Sequence, residues 1–167
     1  MHAYISPTLL GVATGLRSMS PLAVVALTTS GKPGAAVPRI VARPPVPAVL
    51  GAACAAELIA DKLPGMPSRL APPGLAARLV LGALVGGLAT RIEGASPALG
   101  AACGLLGAGA GAWTGSTIRR QLSMTTHLPD LVFAVLEDAA TLALALWAVR
   151  AAVDQPLSAP IVRPRMK

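Results

Sequence analysis

The sequence predicts an all-α fold: a polytopic helical membrane protein with about five transmembrane or half-membrane helices. Three observations carry this. Hydrophobic residues make up 54% of the 167-residue chain and charged residues 13%, with a mean hydropathy of +0.66, where a soluble domain carries about a quarter charged residues. The apolar residues, mostly Ala, Leu and Val, fall in long blocks. Segments rich in Pro, Arg and Lys separate those blocks. A soluble chain of this size and composition would lack the polar surface to cover its own core.

The expected helices are 8–28, 48–62, 74–91, 97–119 and 130–152, in one domain spanning 1–153. Segment one is long enough to span, but Arg17, Ser18, Ser20 and Pro21 interrupt it. A Pro-dense loop, "SGKPGAAVPRIVARPPVP", follows. Segment two holds about a dozen apolar residues before Asp61 and Lys62, short of the ~20 that a full crossing needs. It therefore spans, tilts or re-enters. "KLPGMPSRLAPP" is a second Pro-rich loop, and "RIEGASP" is a short turn between segments three and four. Segment four is built almost wholly of Gly, Ala and Leu. Segment five carries Glu137 and Asp138 in its first half, and the basic tail 154–167 is expected to be disordered.

With five crossings, one face collects Lys32, Arg39, Arg43, Arg91, Arg150, Arg163, Arg165 and Lys167. The other collects Lys62, Arg69, Arg78, Arg119 and Arg120. The larger set marks the cytoplasmic side. The expectation is a multi-pass protein of the inner (cytoplasmic) membrane, its N-terminus outside and its C-terminus in the cytoplasm. Arg78, Arg119 and Arg120 are expected to snorkel to lipid headgroups. The net charge of +7 does not indicate nucleic acid: the cations sit between apolar blocks, and an aromatic fraction of 2% leaves no stacking platform. Cys54 and Cys103 lie among small apolar residues and read as packing residues. There is no metal-ligand spacing, no cofactor motif and no nucleophile-with-base constellation; the histidines are His2 and His127. No catalytic residue is assigned.

Small residues recur at helical spacing: Gly11 and Gly15, Gly82 and Gly86, Gly100 and Gly104, then Gly107, Gly111 and Gly115. Such faces let helix backbones approach closely, within one chain or between two copies. "GVATG" at 11–15 also resembles "GAWTG" at 111–115. If segments one-two and four-five are related, the plan is an inverted repeat of the kind many transporters use.

Ionisable residues inside apolar segments cost about 2.5 to 3.5 kcal/mol each near a bilayer centre, so they pair or line a wet cavity. Arg17, Glu57, Asp61, Glu137 and Asp138 are such residues. The economical arrangement pairs Arg17 with Glu57 or Glu137. Glu57 and Asp61 share a helical face; Glu137 and Asp138 diverge by about 100°. A break before Pro21 would expose backbone amides, and a helix N-terminus there would favour an anion. The candidate ion- or substrate-binding set is therefore Arg17, Ser18, Ser20, Glu57, Asp61, Glu137 and Asp138.

With these residues in view, "TGLRSMSPLA", "AAELIADKLPGMPSR", "ARLVLGALVGG" and "LEDAATLAL" resemble the bacterial membrane proteins grouped as domain-of-unknown-function family 4126. The resemblance runs from about residue 9 to residue 150. It carries over to Gly15, Leu16, Arg17 and Ser18, to Glu57, Asp61, Lys62, Leu63 and Pro64, and to Glu137 and Asp138. It implies the fold and the choice of residues, and assigns no activity. Two functions stay open. One is a proton-linked transporter or channel for a small anion or a lipid-phosphate headgroup. The other is a structural or accessory membrane protein whose buried charges are assembly ion pairs, with a homodimer or membrane-complex partner.

Overall fold

A computed structural model describes residues 4–30, 41, 43–60, 70–125 and 130–154. The described residues form six helices: α1 (Ile5–Leu16), α2 (Ser20–Thr29), α3 (Pro45–Ala60), α4 (Pro72–Ile92), α5 (Pro97–Thr125) and α6 (Asp130–Asp154). The expected helices are all present, with segment one divided in two. Asp61 with the rest of "DKLP", His2, His127 and the tail 155–167 lie outside the described residues.

Proline sets most of the boundaries. Pro21 has no N–H to offer the carbonyl of Arg17, and its ring would clash with that carbonyl in a continuous helix. Accordingly, the α1 helix stops at Leu16, Arg17 is extended (φ −139°, ψ 117°), and Pro21 falls in the first turn of α2. Prolines also open α3, α4 and α5, where the missing donor costs nothing. Gly94 ends α4. At φ +71° it lets its own N–H reach Arg91 O at 3.3 Å and the Ala95 N–H reach Thr90 O at 2.8 Å, the paired closure that satisfies orphaned helix carbonyls.

The path of the chain differs from five successive crossings. α1 lies along α5 and α6, and α4 packs on α5 and α1. A methyl group added at Gly11 would fall 2.8 Å from Gly104 Cα, and one at Gly15 would fall 2.5 Å from Ala112 N. Contacts thus advance together along α1 and α5, so these helices run parallel. Gly82 meets Gly104 and Ala108 while Gly86 meets Gly100 and Gly104, so α4 runs the other way. Arg17 pairs with Asp138, whereas Leu10 shares the core with Ala145, Ala148 and Val149; α6 is antiparallel to α1.

Past the break the chain turns back. Val24 and Val25 join the same core as Leu10, Ala13, Val85, Ala89 and Ala148. A helix continuing the line of α1 would pack on the second half of α5, and α2 has no substantial contact there. α1 and α2 therefore make a helical hairpin with its tip at 17–19. The start of α1 and the end of α6 lie at one end of the bundle, instead of at the opposite ends that five crossings require. "GVATG" and "GAWTG" sit on parallel neighbouring helices, so these two stretches are not related by inversion.

Gly11, Gly15, Gly82, Gly86, Gly100, Gly104, Gly107 and Gly111 all lie at the approach of α1, α4 and α5, each with backbone or Thr90 atoms where a side chain would begin. Gly115 is buried further along α5. Among the described helices, α3 packs substantially on α2 alone.

Apolar side chains fill the core, but polar ones share it, and many large apolar side chains lie on the surface. Arg17 heads the largest fully buried side chains, and Ser6, Thr14, Ser20, Thr29, Thr90, Glu93 and Thr141 are also buried. Leu27, Val49, Ile59, Val80, Leu106, Trp113, Leu136 and Trp147 are exposed. Buried threonines return their hydroxyls to their own helices: Thr14 to Leu10 O at 2.8 Å, Thr29 to Val25 O at 2.7 Å and Thr141 to Glu137 O at 2.8 Å. Two helices, Pro72–Ile92 and Leu131–Val153, are long and apolar enough to cross a membrane; α1, α2 and α3 are shorter apolar helices.

Candidate functional site at the hairpin tip

The break in segment one leaves backbone N–H groups with no helical partner, and a buried orphan of that kind must be answered. Glu57 answers two of them. Its Oε1 accepts the Ser18 N–H at 2.7 Å and its Oε2 accepts the Met19 N–H at 2.8 Å. The last turn of α3 brings Glu57 there. Below it on the same helix, Cys54 Sγ lies 3.3 Å from Ser20 Oγ. Ser20 is fully buried and Cys54 nearly so, so α2 and α3 are joined at the tip by a charged cap and a thiol–hydroxyl contact.

Arg17 is 1% exposed. Its Nη2 pairs with Oδ1 of Asp138 on α6, whose side chain is 14% exposed. At so little exposure an isolated guanidinium would be costly, and a facing carboxylate makes it tolerable. Asp138 is a partner that the sequence, which offered Glu57 or Glu137, did not single out. Glu57 is committed to the tip amides. Glu137 is turned by one residue's rotation to a neighbouring cleft. That cleft has a volume of about 280 Å³ and is lined by Leu16, Arg119, Phe133, Leu136 and Glu137 among others.

The tip thus gathers Arg17, Ser18, Ser20, Glu57 and Asp138, with Glu137 beside it and Asp61 outside the described residues. Chemically it holds two answered groups: the Ser18 and Met19 N–H groups meet the Glu57 carboxylate of α3, and the Arg17 guanidinium meets the Asp138 carboxylate of α6. The expectation that a helix start would favour an anion there meets an internal one, Glu57. Among the described residues no group of three or more His, Cys, Asp or Glu could hold a metal ion.

Two charged residues behave otherwise than expected. Arg78 does not reach outward: it is 8% exposed, and its Nη1 donates to Gly74 O at 3.3 Å on its own helix. Glu93, unremarked in the sequence, is 6% exposed and buried beside Ser6 of α1. Burial pushes its carboxyl above the ordinary range, and the neighbouring Ser6 hydroxyl of α1 offsets part of that. Its one sequence signal was position: an acid directly before the glycine of "RIEG" closes the helix and faces inward at the turn.

No curated protein and no solved structure matches the chain. The model of the family described as Domain of unknown function (DUF4126) matches residues 7–161, most of the chain, and it is to this family that the protein belongs.

Proposed function

We propose that the protein is a multi-pass membrane protein of the inner (cytoplasmic) membrane, and that its hairpin tip is the anion seat of a proton-linked transporter or channel for a small anion or lipid-phosphate headgroup. The large apolar side chains on the surface, with polar ones sharing the core, support the bilayer as its solvent. Every buried hydroxyl and charge needs an internal partner there, while the exposed Leu, Val and Ile side chains are at home. In this reading α1–α2 enters from one face to mid-depth and returns, α3 reaches the tip from that same face, and α4 to α6 cross. The cytoplasmic face keeps the larger basic set, from Lys32 and Arg39 to Arg91 and Arg150, and the hairpin brings the N-terminus to that same face.

The single observation that carries the functional reading is the capture of the Glu57 carboxylate by the Ser18 and Met19 N–H groups beside Arg17. A seat built for an oxyanion is filled by a tethered one. A proton on Glu57 removes the charge that holds it there and vacates two amides for an external oxyanion. Proton uptake and anion entry are then coupled through one side chain, and α3, held mainly by α2, is the element free to follow it.

The test is phosphate flux in proteoliposomes under an imposed pH gradient. The parent should show pH-dependent flux. Arg17→Lys should lose it, because an ammonium cannot reproduce the planar fork. Glu57→Gln should carry flux that no longer responds to pH. Unchanged pH-dependent flux in Arg17→Lys would overturn the assignment. A second reading, a structural or accessory protein, is favoured by the Arg17–Asp138 pair, which ties two helices within one chain. Its mark would be a stoichiometric partner retained on purification from native membranes.

A further inference from the structure

The reversal of the chain at Arg17 leaves a space. α5 and α6 both pack on α1 but scarcely on each other. Where α1 ends, no helix among the described residues continues between them. The cleft of about 280 Å³ lies there, with Leu16, the last residue of α1, on its wall. Ile118 and Leu122 of α5 and Phe133 and Leu136 of α6 make the sides, and Arg119 and Glu137 are its two charged side chains. Leu16 precedes Arg17 and Glu137 precedes Asp138 in the chain, so the cleft abuts the buried ion pair. Ile118 and Leu136, 49% and 61% exposed, place its opening on the apolar outer surface.

We infer that this cleft is the entrance to the tip, and that the ligand it admits is a lipid phosphate, an anionic headgroup carried on a hydrocarbon chain. This rests on the reading of the tip as an anion seat and narrows the substrate class. A free oxyanion entering here would shed its water against Ile, Leu and Phe, and desolvating a charge without a partner is costly. An amphiphile meets the same walls with its chain and gains from burying it. Arg119 offers its guanidinium to a phosphate in the cleft, where Glu137 is the opposing charge among the lining residues, and the amides now capped by Glu57 are the donors at the tip. The lateral opening lets such a ligand arrive from the lipid phase with its chain still in apolar surroundings.

The experiment measures binding of monododecyl phosphate, inorganic phosphate and dodecanol to the full chain in a nonionic detergent. The proteins are the parent, Glu57→Gln, and two variants that fill the cleft from exposed positions on α6, Leu136→Trp and Ala140→Trp. Thermal unfolding is recorded for each, so that if one cleft variant does not fold the other reports. Monododecyl phosphate should bind at least about tenfold tighter than either comparison ligand, and each folded cleft variant should lose at least about tenfold of that affinity. If inorganic phosphate binds as tightly and ignores the Trp variants, the inference falls while the anion seat stands. If dodecanol binds as tightly as its phosphate, the cleft is a groove for any chain, and the inference falls. If neither phosphate binds to the parent or to Glu57→Gln, the inference and the anion seat fall together.

Discussion

At the scale of single residues, two buried charges make opposite demands. Arg17 is answered by Asp138, and removing one member strands the other. Arg17→Met should lower thermal stability by about 3 to 5 kcal/mol, whereas Arg17→Met with Asp138→Leu should recover most of that loss. Thermal unfolding of the purified variants in detergent checks both. If the single and double variants melt alike, the pair does not contribute as described. Among the described residues Glu93 faces no cation, only the Ser6 hydroxyl, which offsets only part of the rise that burial gives its carboxyl. Its folded form prefers the proton. The stability it allows is therefore full at pH below the ordinary carboxylate range and falls as pH climbs through the raised value. Glu93→Gln, which cannot ionise, should melt higher than the parent above that range and no differently at acid pH. Melting temperature followed across pH reads the difference directly. The residues of the tip were legible in the sequence, because an arginine, two serines and a proline inside an apolar block have few innocent explanations. Which carboxylate faces Arg17 was not. Glu137 and Asp138 differ by one step of helix rotation, and only the packing of α6 on α1 fixes that rotation.

At the scale of elements, the glycine faces divide into those that need the absence of a side chain and those that tolerate one. A Cβ at Gly104 would lie 3.0 Å from Gly86 Cα, and at Gly51 nothing lies within 4 Å. Backbone atoms cannot move aside as a flexible side chain would. Gly104→Ala should therefore destabilise by about 1 to 3 kcal/mol, while Gly51→Ala, in mid-helix with open space, should stabilise by about 1 kcal/mol. Paired unfolding measurements would test this, and equal effects at the two positions would contradict the close approach. Helix boundaries were largely readable from prolines and from the Glu-Gly turn. The return of α2 was not readable, for a physical reason. A helix that continues and a helix that folds back bury the same kinds of residue, and "PLAVVALTT" is apolar enough for either. What decides is the packing of Val24 and Val25 beside Leu10, a long-range fact that no local pattern encodes.

For the molecule as a whole, the distribution of exposed apolar and buried polar side chains is what the bilayer reading uses. Composition had already announced it, and the hairpin changes only which face receives the N-terminus. Reporter tags at the two termini should be equally accessible from the cytoplasmic side of sealed vesicles; opposite accessibility would mean that α1 and α2 pass straight through.

The hairpin also has a consequence for how the chain is made. Two of its packing partners, α5 and α6, follow it by more than sixty residues, so α1 and α2 leave the ribosome before them. Neither short helix can span alone, and the Arg17 that they carry has no counter-charge until Asp138 has been synthesised. If the bilayer reading holds, the hairpin must wait at the membrane surface until the later helices exist, and enter last what it was translated first to join. A chain cut after α4 should leave residues 5–29 open to added protease, whereas in the full chain they should be protected.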